Sequence, residues 1–285
     1  MIDCTKCPIC GSERTINKYR NDKTSLCRYG FMLSRTDALS VPKNLEVQIS
    51  ECLDCDFAWN TKFKSSNVNY SNLPILESAL HSPAYLEFQK KQALWLSSKI
   101  SSETKTILEI GGGSGYFMDH IKAKNRIIYE PSLESMNITN DIKVYNKYFN
   151  PDVDKIEGEV IIMRQVLEHI PDPFRFLNSI FKNTLFNHGY IYIEVPSYDQ
   201  SRNKHRFYDF YYEHCNYFSL NSLARIGLIL NLNIISLESK LNNELNICLM
   251  EYNKNTFLGN SFLIAKDNIN SKIYSLLKSG KKIAI

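Results

Sequence analysis

A chain of 285 residues with 44% hydrophobic and 22% charged side chains has the composition of an ordinary globular protein, long enough for one large domain or two ordinary ones. Its net charge of +4 is spread along the chain without a basic block, so nothing points to nucleic acid, and no apolar run reaches the length of a membrane span. Residues 1–10 are polar and do not read as a signal peptide, and the spacing of at least four of the eight cysteines suits a metal better than disulfides; the expected location is the reducing cytoplasm.

The first 60 residues open with Cys7-Pro-Ile-Cys10-Gly11 and close with Cys52-Leu-Asp-Cys55. Two C-x-x-C knuckles can bring four thiolates to one tetrahedral ion, and Pro8 and Gly11 favour the tight turn that points both sulfurs one way. The expectation is a structural Zn²⁺ held by Cys7, Cys10, Cys52 and Cys55, because so short a segment has little core of its own and metal binding supplies folding energy. A redox C-x-x-C is the competing reading, but no thioredoxin-like βαβ pattern surrounds either pair; Cys4 could substitute for a ligand and Cys27 could join in, with spare thiols the plainer reading of both. Residues 61–83 are polar and irregular, a connector that could cover a site. Over 85–100 the pattern is helical, with Leu86, Ala93, Leu96 and Ile100 on one face and Pro83 ahead of the first turn.

A β-branched run at 106–110 then stops at Gly111, Gly112, Gly113 and Gly115, and a helical pattern follows over 116–123. Strand, glycine turn and helix make the ligand crevice of an open α/β sheet. The dinucleotide G-x-G-x-x-G needs glycine where Tyr116 stands, and the P-loop G-K-[ST] is absent. What is present is Glu109-x-Gly111-x-Gly113-x-Gly115, which resembles motif I of class I S-adenosylmethionine (SAM) methyltransferases; an NAD-type or nonbinding βα turn is the competing reading. The resemblance implies a Rossmann-like α/β sheet with helices on both faces, SAM as cofactor, Glu109 toward its ammonium, and the backbone of Gly111, Gly113 and Gly115 against the sulfonium and ribose. A second strand over 126–129 ends at Glu130, whose carboxylate suits a pair of ribose hydroxyls.

Further strands are expected over 143–145, 159–163, 190–195, 233–238 and 245–251, and helices over 174–186 and 220–230, the latter capped by Ser219. The fourth strand runs into Arg164-Gln-Val-Leu-Glu168-His169-Ile-Pro171-Asp-Pro, which resembles the post-motif of the same methyltransferases. That resemblance implies that Gln165 or Arg164 bounds the cofactor and that His169 faces the substrate or holds structure.

Residues 198–218 crowd tyrosine, phenylalanine, histidine and charge into one loop, which reads as a substrate wall. The stretch "IEVPSYD…YYEHCNYFSLNSLARIG" resembles sugar C-methyltransferases of deoxysugar biosynthesis, which also begin with a four-cysteine zinc domain. This narrower resemblance implies methylation of a carbon next to the keto group of a nucleotide-linked 4-keto-deoxysugar, with His214 as base and Glu213 and Tyr211 beside it. The chemistry asks for such a group. Carbon is not nucleophilic until its α-proton leaves, a histidine can take that proton near neutral pH, and tyrosine hydroxyls can hydrogen-bond the enolate oxygen. Two departures point to another sugar or to methylation at oxygen. Tyr212 replaces the first histidine of the family's H-E-H, and Asn242-Asn243-Glu244 replaces its H-G-G-S turn. Residues 272–285 resemble the family's entry into a second Rossmann-like domain, which implies a truncated chain or a natural short form.

The expected organisation is a zinc-binding domain at 1–60, a connector and helix at 61–103, a methyltransferase domain at 104–255 and a C-terminal segment at 256–285. The expected partner is a small-molecule substrate, with neither nucleic acid nor membrane. An O- or N-methyltransferase for another small molecule, or a catalytically silent SAM- and zinc-binding interaction protein, remain the alternatives.

Overall fold

The computed structural model describes residues 6–26, 35–40, 42–68, 82–132, 138 and 141–254. Cys4, Cys27, Tyr70, His81 and the expected second-domain entry at 272–285 lie outside them.

The main sheet is made of β4 (Thr106–Ile110), β5 (Asn125–Tyr129), β6 (Lys143–Tyr145), β7 (Val160–Arg164), β8 (His188–Pro196), β10 (Asn233–Lys240) and β11 (Leu245–Asn253). Their order is β10-β11-β8-β7-β4-β5-β6. The pairs from β6 across to β8 are parallel, and β11 inserts antiparallel between β8 and β10. This is the expected Rossmann-like α/β sheet, with β11 making it mixed. The chain builds outward from β4 to β6, then returns to β7 on the other side of β4. That reversal puts the ligand crevice beyond the carboxyl ends of β4 and β7.

Alternation along the strands splits the core in two. Ile107, Ile128, Val160, Ile162, Tyr192 and Leu249 face one way, onto Ala93, Leu96 and Ile100 of α2 (Pro83–Ile100) and Phe117 and Met118 of α3 (Tyr116–Asp119). Leu108, Ile127, Ile161, Met163, Ile191 and Met250 face the other, onto Leu177, Ile180 and Phe181 of α4 (Pro173–Asn183) and Leu223 and Ile226 of α6 (Leu220–Ile229). Ser219 caps α6 as expected, and Ser82 and Asp172 likewise each accept a backbone N–H of the first turn of α2 and α4. The crossover helix α3 is half the expected length. The His120 ring contacts the Tyr116 carbonyl at 2.8 Å, so a side chain takes an acceptor that a longer helix would use for the residue 120 amide.

A second sheet of order β1-β2-β3-β9 joins β1 (Thr15–Thr24), β2 (Leu45–Cys52) and β3 (Ala58–Asn60) to β9 (Asn216–Tyr217), with the short helix α1 (Arg35–Ser40) between β1 and β2 in the chain. Its fourth strand comes from the far end of the chain, through Ala58↔Tyr217 and Trp59↔Asn216. This corrects the expectation that residues 198–218 form a single loop. That stretch holds a helix, α5 (Tyr198–Asn203), and the strand β9, and Tyr198, Tyr212, Tyr217 and Phe218 are buried as core beneath the N-terminal strands. The hydroxyls find partners as buried tyrosines require: Tyr198 donates to Glu51 at 2.6 Å, and Tyr212 accepts from the Lys64 amide at 2.8 Å.

Candidate active site

β4 ends at Gly111, whose φ of 70° is a left-handed turn; a Cβ there would lie 2.4 Å from Val166 Cγ2. Gly113 also has positive φ, and Gly115, at φ 80°, caps α3. The turn is fastened to the end of β5: Glu130 is buried and accepts from the Gly113 amide at 2.9 Å and the Ser132 amide at 2.8 Å. A carboxylate offers roughly four acceptor positions, so the two bonds leave capacity for hydroxyl donors.

Beneath the turn lies a buried charge network. Glu109 is 0% exposed and meets Arg164 at 3.5 Å, while the same guanidinium reaches Glu194 at 3.7 Å and lies 4.2 Å over the Phe117 ring. Tyr85 and Tyr192 both donate to Glu194, at 3.4 and 3.3 Å. Two carboxylates around one guanidinium suit a further cation. Gln165, the first residue past β7, sits at φ 53° with its backbone N–H donating to the Glu194 carbonyl at 2.8 Å. Its Nε2 is buried with no hydrogen-bond partner among the described residues. An unsatisfied donor at the mouth of β7 fits a polar ligand such as SAM.

The second group gathers where the turn after β7 meets the segment before β9. The Tyr211 hydroxyl and His214 Nε2 are 2.8 Å apart, with ring centroids at 4.2 Å. His169 stands edge-on to His214 with centroids 4.7 Å apart, and its Nδ1 lies 3.0 Å from the Glu213 carbonyl. That contact makes Nδ1 the protonated nitrogen of a neutral ring, and burial pushes the His169 pKa down to about 4. Asn216 Nδ2 and Cys215 Sγ donate to the Leu167 and Glu168 carbonyls, both at 3.3 Å, which ties the two segments together. Glu168, next to His169, is 1% exposed; burial, then the nearby carboxylates of Glu194 and Glu213, holds its pKa well above the usual range. The sequence singled out His169, Tyr211, Glu213 and His214, and the fold brings them together. It did not single out Glu168 or Glu194; a glutamate inside the apolar run of β8 was the available signal for Glu194.

The four cysteines form a separate cluster. Cys7 and Cys55 sulfurs are 3.6 Å apart, as are those of Cys10 and Cys52, and all four ligand atoms lie within 4.8 Å of one another. Sulfurs at the corners of a tetrahedral zinc site, about 2.3 Å from the ion, would be about 3.8 Å apart. The spacing is compatible with zinc and too long for disulfides. The cluster rests on the main fold: Arg225 of α6 donates to the Asp54 carbonyl at 3.1 Å and Asn221 to Asp56 at 3.0 Å.

A family model described as "Methyltransferase domain" matches residues 85–237, more than half of the chain. The chain belongs to that methyltransferase family. It is a methyltransferase, and the matched span carries both the glycine turn and the His169–His214 cluster. No curated protein matches. Among solved structures, one similar chain comes from the complex of the Haloferax volcanii Trm112 methyltransferase activator with a methyltransferase (13% identity, covering 59% of this chain and 93% of that one, TM-score 0.47). Another is a SAM-dependent methyltransferase from Aquifex aeolicus (14% identity, 60% and 94% covered, TM-score 0.46). A third is the plantazolicin methyltransferase BpumL with a desmethylplantazolicin analogue and S-adenosylhomocysteine (14%, 62% and 86%, TM-score 0.45). No helix among the described residues of this methyltransferase is long and apolar enough to cross a membrane.

Proposed function

We propose that this methyltransferase acts on a carbon beside the keto group of a nucleotide-linked sugar, with His214 as the base. The observation that supports this most directly is the Tyr211–His214 pair at 2.8 Å, a proton acceptor and a phenol held side by side. His214 takes the α-proton on a ring nitrogen and leaves a carbon nucleophile; Tyr211 orients the ring; the Glu213 carbonyl fixes His169 as a neutral neighbour, so that no second positive charge opposes protonation of His214. SAM, when bound, supplies an electrophilic methyl group. Glu109, the backbone of Gly111, Gly113 and Gly115, Glu130 and Gln165 are the residues assigned to hold it. Cys7, Cys10, Cys52 and Cys55 are assigned one structural Zn²⁺, in the segment 1–60 that precedes the 61–103 connector and the 104–255 methyltransferase domain.

The test is exchange of the keto sugar's α-proton with D₂O, followed by NMR, in the native protein and in His214→Asn. Exchange lost in the variant supports the base. Normal exchange in the variant removes His214 from that role, and a product methylated on oxygen with no exchange makes the protein an O-methyltransferase.

A further inference from the structure

Glu168 presents a problem that the proposed reaction does not solve. Its carboxyl is 1% exposed, and apart from its own backbone N–H no described residue donates a hydrogen bond to either oxygen. Protonation does not resolve this, because a neutral carboxyl adds an O–H donor that then lacks an acceptor. Beside it stand His169 and His214, and one ligand atom from each of the three residues lies within 4.8 Å of the others. We infer that Glu168, His169 and His214 form a second metal site, for one divalent transition ion, apart from the cysteine cluster.

The chemistry of the donors selects the ion. Two imidazoles and one carboxylate suit Zn²⁺, Co²⁺, Ni²⁺ or Fe²⁺ and not Mg²⁺ or Ca²⁺, which prefer oxygen cages. Tetrahedral ligands about 2.1 Å from an ion stand about 3.4 Å apart, so the three side chains close inward by about 1 Å or less each. The second shell is already in place. His169 Nδ1 donates to the Glu213 carbonyl at 3.0 Å, which puts the ring's lone pair on Nε2, the usual arrangement for a metal-bound histidine. With Nε2–H donating to the Tyr211 hydroxyl 2.8 Å away, the His214 ring keeps its lone pair on Nδ1 for the ion. Adjacent residues 168 and 169 come from the turn after β7, and residue 214 from the segment before β9, which Asn216 and Cys215 fasten to that turn. Three protein ligands leave a fourth position for water.

An ion here uses the lone pair that the proposed base needs. Filling the site therefore silences proton abstraction, and this consequence, though not the site, rests on His214 being the base. The site is an inhibitory one, sensitive to free transition metal.

The experiment is a titration of the zinc-loaded protein with Co²⁺, read by visible absorption. The expected result is one Co²⁺ per chain with d–d bands and no sulfur-to-cobalt charge transfer, and binding at least roughly tenfold weaker in Glu168→Gln, His169→Asn and His214→Asn. Circular dichroism of each variant verifies folding, and any one folded variant suffices. No cobalt beyond the cysteine cluster, or unchanged binding in the folded variants, overturns the site. The same samples are followed for α-proton exchange. Cobalt binding that stops exchange supports both assignments, whereas cobalt binding with unchanged exchange upholds the metal site and overturns its inhibitory consequence together with His214 as base.

Discussion

Trp59 pairs with Asn216 in the register of the small sheet, so the strand leaving the Cys52–Cys55 knuckle borders the segment that carries His214. The cysteine cluster and the proposed base are therefore mechanically linked, although no cysteine touches the base. Cys52→Ser is expected to lower bound zinc by one ion per chain, lower Tm, and reduce methyl transfer with it. Metal analysis beside thermal unfolding checks this; full zinc retention by the variant would remove Cys52 from the ligand set.

Arg164 serves two buried carboxylates at once, Glu109 at 3.5 Å and Glu194 at 3.7 Å. Arg164→Met strands both charges and is expected to cost roughly 3–5 kcal/mol, the range for breaking a buried ion pair. Glu109→Gln leaves the guanidinium its other partner and should cost less. Urea unfolding measures both, and an Arg164→Met cost at or below that of Glu109→Gln contradicts the network. Calorimetry on Glu109→Gln should also show weakened binding of S-adenosylhomocysteine, if the buried excess of negative charge holds the ammonium.

Gly111 combines positive φ with a Cβ position 2.4 Å from Val166 Cγ2. Gly111→Ala should cost about 1–2 kcal/mol from its backbone and about 1–3 kcal/mol from the overlap. Val166→Ala in that background removes the overlapping methyl and should recover the second part only. A double-mutant cycle by urea denaturation reads the coupling; strict additivity would mean that the two residues do not meet.

Tyr211→Phe deletes one hydrogen bond at His214 while keeping the ring. It is expected to lower kcat roughly 3- to 10-fold, the equivalent of about 1 kcal/mol, with KM little changed. His214→Asn, which removes the base, should cost roughly 10²- to 10⁴-fold. A pH–rate profile separates the roles: the limb belonging to the base shifts in Tyr211→Phe and disappears in His214→Asn.

The seven strands of the main sheet were legible because buried parallel strands read as continuous apolar runs, as Val160–Arg164 does, and because glycine and proline mark their ends. The small sheet was not. β1 reads Thr-Ile-Asn-Lys-Tyr-Arg-Asn-Asp-Lys-Thr, mostly exposed, and is a strand through its pairing with β2 rather than through its own pattern. β9 is two residues long, below any periodicity. At the site, the motifs singled out Glu109, Glu130, Arg164, His169, Tyr211, Glu213 and His214 but not the contacts among them and the residues around them. That Arg164 bridges two glutamates, or that Glu168 is buried beside two histidines, depends on how distant segments converge.

Ala58 and Tyr217 are neighbours in the small sheet although about 160 residues separate them, a contact of long range by any folding measure. On a ribosome adding about 5–20 residues per second, the outer edge of β3 waits roughly 8–32 s for its partner to be synthesised. For that interval the protein carries an open strand edge, the kind that recruits other chains. A cysteine knuckle able to close as soon as residue 55 has emerged would give that edge a fixed shape while it waits, so the availability of zinc during translation would govern the yield of soluble protein as well as its stability.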